Sequence, residues 1–257
     1  MKLGFVTYQI GAEWDVPTLI SMCNATGMSG VELRTTHAHG VEVELSAAER
    51  AEVRQRFADG GVEIAGLGSA FEYHAVDPAV VRENIDGTIA YAQLAADLGC
   101  PGIKVRPNGL QTEAGIPEEK TLEQIGLAVR ECAQAAADLG VAVRVEVHGR
   151  ETQEPHRMRT IIDHADHDNA YLCWNSNPGE PVNGSIDEAY GLLRHKIGLV
   201  HINELHTDYP WRDLFAKLQR DGYTGYTLAE IQGNADGERL LRYYRALWEA
   251  YQPPATA

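Results

Sequence analysis

One unit recurs eight times along the chain: an apolar run that ends in polar residues and is followed by a helical segment. The first run is "LGFVTYQ" and the last is "YTLAEIQ". Short apolar runs bounded by polar and turn residues are typical of β-strands. The eight runs cover residues 3–9, 30–37, 62–69, 102–108, 141–149, 170–177, 197–204 and 226–232.

The segments between the runs have helical periodicity. In "DPAVVRENIDGTIAYAQLAADLG", Val80, Val81, Ile85 and Ile89 lie near one face, and Gly99 follows as a stop signal. Most runs come shortly after a glycine, which is the usual C-cap between a helix and the next strand. The chain therefore alternates predicted strands and predicted helices.

Eight strands that alternate with helices pair in parallel, and in 257 residues they are expected to close into a (β/α)₈ TIM barrel. A doubly wound sheet is the alternative, but no GxGxxG motif follows the first run. No Pro/Ser-rich linker or change in composition marks a boundary. We therefore expect an α/β fold with a single barrel domain over residues 1–257.

Composition excludes several classes of protein. The 37 acidic residues outnumber 22 basic ones and give a net charge of −15, which disfavours a nucleic-acid partner. No apolar stretch approaches the ~20 residues that span a bilayer, and the N-terminus does not resemble a signal peptide. The four cysteines form no CxxC pair, so zinc clusters and disulfide frameworks are not expected. These features predict a cytoplasmic protein with no membrane partner.

Polar residues near the ends of the last four runs carry the functional information, because the chemistry of such barrels lies after the strands. Glu146 and His148 point to the same side of run five, and runs six, seven and eight contain Asn175, His201 and Glu230. One buried histidine alone would be an ordinary hydrogen-bonded core residue. Buried together, such groups need compensation, and a divalent cation is the simplest one. The mixed oxygen and nitrogen donors favour Mn²⁺, Mg²⁺ or Co²⁺ over Zn²⁺.

The pattern "VEVH", "LCWN", "VHINE" and "YTLAEI" resembles the xylose isomerase-like barrel superfamily of sugar isomerases and epimerases. The resemblance extends over nearly the whole chain, including "GVELR" and "DGYTGYTLAEI". It implies one divalent metal ion, held by Glu, Asp, His and Glu from strands five to eight. In this sequence the matching residues are Glu146, Asn175, His201 and Glu230.

The chain departs from this pattern at "WNSNP", where Asn175 replaces the usual aspartate and Pro178 stands where a histidine is usual. An amide oxygen can bind a metal but adds no charge. We therefore expect weaker binding and a more electrophilic metal ion. The missing histidine also removes a ligand that the endonuclease branch of the superfamily needs.

The resemblance implies a sugar or cyclitol isomerase or epimerase that abstracts the proton α to a carbonyl and passes through an enediolate. Glu146 and Glu230 would be the acid/base pair. The expected partner is a small carbohydrate, and the oligomeric state stays open, a homo-oligomer included. Candidates for substrate binding, each with an alternative role as a solvated or ion-paired residue, are Arg34, His37, His74, Lys104, Arg106, His148 and Arg212.

Two other functions stay open on the sequence. One is a lyase or hydrolase, of dehydratase or deglycosidase type, that acts on a 3-keto sugar or keto-glycoside after the same proton removal. The other is a barrel that binds a sugar or a metal without catalysis. The sequence does not identify the sugar or the natural metal.

Overall fold

Eight parallel strands close into a barrel, in chain order, in the computed structural model, which describes residues 1–254. The predicted (β/α)₈ fold is confirmed. Closure comes from the first strand, which pairs with both the second and the eighth. The strands are β1 (Lys2–Val6), β2 (Gly30–Arg34), β3 (Glu63–Glu72), β4 (Gly102–Arg106), β5 (Ala142–Glu146), β6 (Ala170–Asn175), β7 (Ile197–Ile202) and β8 (Tyr226–Ala229).

A helix follows each strand, and two short 3₁₀ turns, Thr112–Ala114 and Arg194–Lys196, lie in the connections. Each connection from strand to helix leaves the same end of the barrel, which is where such folds place their sites. The helices are α1 (Val16–Thr26), α2 (Ala47–Asp59), α3 (Pro78–Leu98), α4 (Glu118–Ala137), α5 (Pro155–Ala165), α6 (Asp187–Leu193), α7 (Trp211–Arg220) and α8 (Gly237–Tyr251).

Local sequence signals fix several helix ends. The side chain of Asp77 accepts a hydrogen bond from the Ala79 amide at the start of α3, and Gly99 ends this helix with φ 71°. Ser46 and Glu49 form a reciprocal capping box at the start of α2. These caps satisfy backbone groups that a helix terminus otherwise leaves without partners.

Several strands stop before the apolar runs do. The second predicted run extends to residue 37, but β2 ends at Arg34, and β8 ends at Ala229, one residue before Glu230. The polar residues at the ends of these runs therefore lie just beyond the strands, although the Glu230 amide still donates to the Ile202 carbonyl of β7. Their side chains lie on loop backbone at the rim of the barrel.

The interior of the barrel is polar at an unusual number of positions. Ile103 and Val105 belong to the core between the barrel and its helices, so Lys104 between them points inward. The same alternation turns four further buried or nearly buried residues inward, on β2, β5 and β7. These four residues are Glu32, Arg144, Glu146 and His201. TIM-barrel interiors are commonly filled by branched aliphatic side chains instead.

Glycines make room for these side chains. A Cβ at Gly68 would lie 2.6 Å from Oε1 of Glu32, and a Cβ at Gly102 would lie 2.7 Å from Cζ of Arg144. Real Cβ atoms do not approach other atoms this closely. The small residues on β3 and β4 thus allow charged groups to occupy the middle of the barrel.

No helix within residues 1–254 is both long enough and apolar enough to cross a membrane.

Gly4→Ala tests the close packing of β1 against β2. Its Cβ would lie 2.3 Å from the backbone oxygen of Gly30, which cannot move without disturbing the pairing of the two strands. We expect the free energy of unfolding to fall by about 2 kcal/mol or more, as measured by urea denaturation. Gly191→Ala is the matched control, since it adds a methyl group to α6 with open space around it. That variant should be neutral or more stable by up to ~1 kcal/mol, and equal losses in both variants would contradict the account.

Candidate metal centre

His201 lies fully buried in the middle of a group of carboxylates. Its Nε2 is 3.2 Å from Oε2 of Glu32, while its Nδ1 is 3.4 Å from Oε1 of Glu146 and 3.6 Å from Oε2 of Glu230. With a proton on Nε2, the bond to Glu32 leaves the lone pair of Nδ1 directed at the other two carboxylates. A carboxylate on the far nitrogen is the usual support for a metal-binding histidine.

Glu146 is clamped from two sides. Its Oε2 accepts a hydrogen bond from Lys104 Nζ at 2.8 Å, and its Oε1 accepts one from Asn175 Nδ2 at 3.4 Å. Burial raises the pKa of the Glu146 carboxyl, but the Lys104 ammonium and His201 outweigh burial and hold it well below its usual range. Glu146 is therefore a carboxylate anion at neutral pH.

Asn175 ends β6 and has a buried side-chain oxygen that is available to bind a further group. The residue is 6% exposed, and its Oδ1 has no hydrogen-bond partner within residues 1–254. His201 Nδ1 is likewise buried without a partner. A buried polar atom left unpaired costs about 1–3 kcal/mol, so two such atoms on neighbouring strands point to a group that both would bind.

The donor set fits a divalent cation. One ligand atom each from Glu146, His201 and Glu230 lie within 4.8 Å of one another. Asn175 adds an amide oxygen beside them, and two carboxylates supply negative charge. Two carboxylates, an amide oxygen and an imidazole nitrogen suit Mn²⁺, Mg²⁺ or Co²⁺. Glu146, Asn175, His201 and Glu230 are called the four-residue centre below.

Glu32 is a residue of the site that was not among the candidates predicted from the sequence. It is 0% exposed and accepts a hydrogen bond from His201, so it sets the orientation of the imidazole ring. The signal was present in "GVELR", where a carboxylate stands between Val31 and Leu33 in an apolar run. Glu32 stands in the middle of the second run and not at its end, where the functional residues of such barrels are expected.

The other polar residues of "WNSNP" brace the end of β6. Ser176 Oγ donates to the His201 carbonyl and accepts from the Asn203 amide, which ties β6 to β7. Asn177 Nδ2 donates to the Val147 carbonyl and to Glu180. Only Asn175 in this stretch faces the four-residue centre. The others fix its backbone in place.

A second polar cluster occupies the ends of β3, β4 and β5. Glu72 accepts hydrogen bonds from Arg106 and from Asn108, and Asn108 Oδ1 lies 2.9 Å from His148 Nδ1. His74 lies beside Glu72, with 3.7 Å between His74 Nδ1 and Glu72 Oε2. Arg106 ends β4 two residues after Lys104, and His148 lies two residues beyond Glu146, the last residue of β5, so both lie one step nearer the mouth. This group, with Lys104, contains four of the predicted substrate-binding residues.

The remaining candidates lie elsewhere. His37, beyond the end of β2, bonds through Nδ1 to Thr7 Oγ1 at 2.9 Å and stacks on Tyr8. Arg34 ends β2, and its guanidinium donates to the Thr35 carbonyl. Arg212 is placed apart from the centre.

The guanidinium of Arg212 donates to the Ala250 carbonyl and lies over the Tyr251 ring, so it joins α7 to α8 in the outer layer. The place of Arg212 in the sequence, shortly after the seventh run, did not indicate which face of α7 its side chain would occupy. We leave Arg212 out of the candidate site.

A groove of about 570 Å³ between α5 and α6 shares no residue with the four-residue centre. It is lined by Arg159, Asp163 and His195, and by residues 166–168, which precede β6. That is the end of the barrel where the strands begin, which in this fold serves stability. The groove is therefore not assigned to the candidate site.

Glu180 makes the loop after β6 sensitive to pH. Burial raises its pKa to about 8, and its carboxyl bonds to Tyr209 and Asn177. The unfolded chain binds this proton with a pKa of about 4.3. The folded state thus holds the extra proton between these values, and stability is lost as the pH rises through this window.

Urea denaturation from pH 5 to 8 should show this loss as a fall in unfolding free energy of up to about 1.4 kcal/mol per pH unit. Glu180→Gln, which stays neutral, should lack this contribution. The exposed Glu83→Gln should keep the parent slope. Parallel curves for the parent and Glu180→Gln would contradict the assignment.

Known proteins share this fold at low sequence identity. The E. coli 3-keto-D-glucoside 4-epimerase is 18% identical over 97% of this chain and 99% of its own, with a TM-score of 0.79. An L-ribulose 3-epimerase is 19% identical over 98% and 96% of the two chains, with a TM-score of 0.78. The D-allulose 3-epimerase of a Methylomonas species is 14% identical over 98% of each, with a TM-score of 0.77.

No curated protein sequence matches the chain at a significant level. A family model does match, over residues 20–247, which is most of the chain. The chain therefore belongs to the xylose isomerase-like TIM barrel family.

Proposed function

We propose that this chain is a divalent-metal-dependent sugar isomerase or epimerase that removes the proton α to a carbonyl group. The observation that carries the proposal is the convergence of Glu146, Asn175, His201 and Glu230 at the ends of four consecutive strands. Within this group, Asn175 Oδ1 and His201 Nδ1 are buried and have no hydrogen-bond partner among residues 1–254. Family membership and the sugar epimerases among the structural neighbours support the same reaction class.

The four-residue centre would hold the ion. When bound, a divalent cation supplies positive charge that stabilises negative charge developing on a carbonyl oxygen. We propose Mn²⁺, Mg²⁺ or Co²⁺ because three of the four donors are oxygens. Glu32 keeps the His201 ring in the orientation that presents Nδ1, and Lys104 and Asn175 hold the Glu146 carboxylate.

The two proposed acid/base residues are unequal in this chain. The Glu230 side chain is 19% exposed, whereas that of Glu146 is 3% exposed and bonded to Lys104. A base must reach the proton that it removes. We therefore propose that Glu230 takes the α-proton. In an epimerisation, Glu146, which faces the same nitrogen of His201, would be the partner that returns a proton after taking one up from solvent.

The carbohydrate substrate is proposed to lie above the centre, against the cluster at the ends of β3, β4 and β5. Arg106 and His148 there belong to a hydrogen-bonded network of donors and acceptors, which suits a ligand with many hydroxyl groups. His37 and Arg34 at the end of β2 are the remaining candidate contacts.

A lyase or hydrolase that acts on a 3-keto sugar is the second candidate. Elimination needs one base to remove the α-proton, while inversion at a carbon needs a group on each face. The engagement of Glu146 by Lys104 favours the one-base reaction. A non-catalytic sugar- or metal-binding barrel is the third reading, and the same experiment distinguishes all three.

Proton NMR in D₂O with diamagnetic Mg²⁺ present is the direct test, with D-allulose, L-ribulose and a 3-keto-glucoside as probes. Exchange of the α-proton with formation of an isomer or epimer supports the leading function. Exchange with release of a leaving group supports the second candidate, and no exchange with any probe contradicts both. Glu230→Gln should reduce exchange by about 10²–10⁴-fold because it removes the base. Glu83→Gln, an exposed residue of α3, is the matched control and should exchange normally.

Asn175→Asp tests whether Asn175 binds the ion. A third carboxylate at the centre should tighten Mn²⁺ binding by about tenfold or more, because charges attract strongly in a buried site. Turnover should fall, since added negative charge weakens the pull of the ion on the substrate oxygen. Calorimetry under identical buffer and pH gives the affinity. Asn24→Asp, at an exposed position of α1, makes the same chemical change elsewhere and should leave the Mn²⁺ affinity unchanged. Equal affinity in Asn175→Asp and the parent would remove Asn175 from the centre.

A further inference from the structure

Lys104 places a permanent cation inside the barrel. The residue is 4% exposed, and its ammonium lies 2.8 Å from Glu146 Oε2, with neither side chain more than 5% exposed. Lysine is rarely buried to this degree unless it is paired. A surface ion pair could form or break with little effect, but this one has no water to replace either partner.

The charge around Lys104 explains its presence. Glu32, Glu146 and Glu230 bring three carboxylates to the space around His201. Within residues 1–254, Lys104 is the only lysine or arginine within 4 Å of any of these carboxylates. Arg144, two residues before Glu146 on β5, donates to the Ala65 carbonyl instead. Without Lys104, at least one buried carboxylate would lack a cation whenever no metal ion is bound.

With a metal ion bound, each of the two Glu146 carboxylate oxygens would contact a different cation. The ammonium occupies Oε2, while Oε1 is the oxygen that faces His201 Nδ1 at 3.4 Å. A divalent ion bonded to Oε1 would therefore share one carboxylate with a fixed positive charge. Two cations on one buried carboxylate repel each other strongly, because the surroundings screen little.

We propose that Lys104 is an internal cation that compensates the carboxylates of the metal-free centre and thereby lowers the affinity of the centre for divalent ions. The proposal rests on the metal-binding part of the proposed function. It assigns to Lys104 a role different from substrate binding. The metal-free protein stays folded with its charges paired, and the ion binds reversibly.

Lys104→Met and Lys104→Gln test this role with Mn²⁺ alone as the probe. Methionine keeps the length of the side chain without the charge, and glutamine also keeps a hydrogen-bond donor toward Glu146. Neither variant changes any of the four proposed ligands, and methionine adds no oxygen, so tighter binding in Lys104→Met cannot come from a new oxygen ligand. Lys217→Met is the matched control, because Lys217 is also a largely buried lysine, paired with Asp187 and Asp213 at 2.7 Å, on α7.

Calorimetric titration should show that Lys104→Met and Lys104→Gln bind Mn²⁺ about tenfold or more tightly than the parent, while Lys217→Met binds as the parent does. Without metal, the two Lys104 variants should melt at lower temperature than the parent. Saturating Mn²⁺ should raise their melting temperatures by more than it raises the parent's. If Lys104→Met does not fold without metal, Lys104→Gln and refolding in the presence of Mn²⁺ supply the comparison.

Equal or weaker Mn²⁺ binding in both variants would overturn the proposal, since Lys104 would then position Glu146 for the ion instead of opposing it. If the parent binds Mn²⁺ and the variants bind it with the same affinity, this inference is wrong but the proposed metal-binding function stands. Absence of binding in the parent and in both variants defeats the metal-binding part of the proposed function as well. Binding that emerges only after Lys104 is replaced supports the inference and shows that the parent does not depend on Mn²⁺.

Discussion

The burial of several carboxylates around one histidine is the constraint on which the rest of this structure depends. Charged groups inside a barrel are costly unless each one is paired. Glu32 pairs with His201 and Glu146 pairs with Lys104, and these contacts fix the side chains that face the mouth. Glycines on β3 and β4 provide the space, since a methyl group at Gly68 or Gly102 would overlap a charged side chain.

This arrangement connects the fold to its chemistry. Parallel strands bring the ends of β5, β6, β7 and β8 to one rim, so residues about 30 positions apart in sequence become neighbours. The loop after β6 is braced by Ser176 and Asn177, which holds Asn175 at the rim with an oxygen that no described residue pairs with. Rigid placement of this kind is what acid/base chemistry beside a metal ion requires.

The sequence predicted the fold and the four-residue centre for a physical reason. Repeated strand and helix periods leave few architectures, and charged residues in apolar runs stand out. Glu32 was missed because it lies in the middle of β2 and not at a strand end. Lys104 was read as a substrate contact, since its pairing with Glu146 depends on how two neighbouring strands align across 42 positions. The sequence alone did not show that the Arg212 side chain would turn toward α8.

We propose above that Glu146, Asn175, His201 and Glu230 together bind one divalent ion. Crystals of the protein soaked in Mn²⁺, measured at a wavelength where manganese scatters anomalously, test it most directly. We expect one strong anomalous peak within bonding distance of Asn175 Oδ1, His201 Nδ1 and both carboxylates, with the Lys104 ammonium still hydrogen-bonded to Glu146 Oε2. A peak at any other place, or an empty space between these four side chains at saturating Mn²⁺, would contradict it.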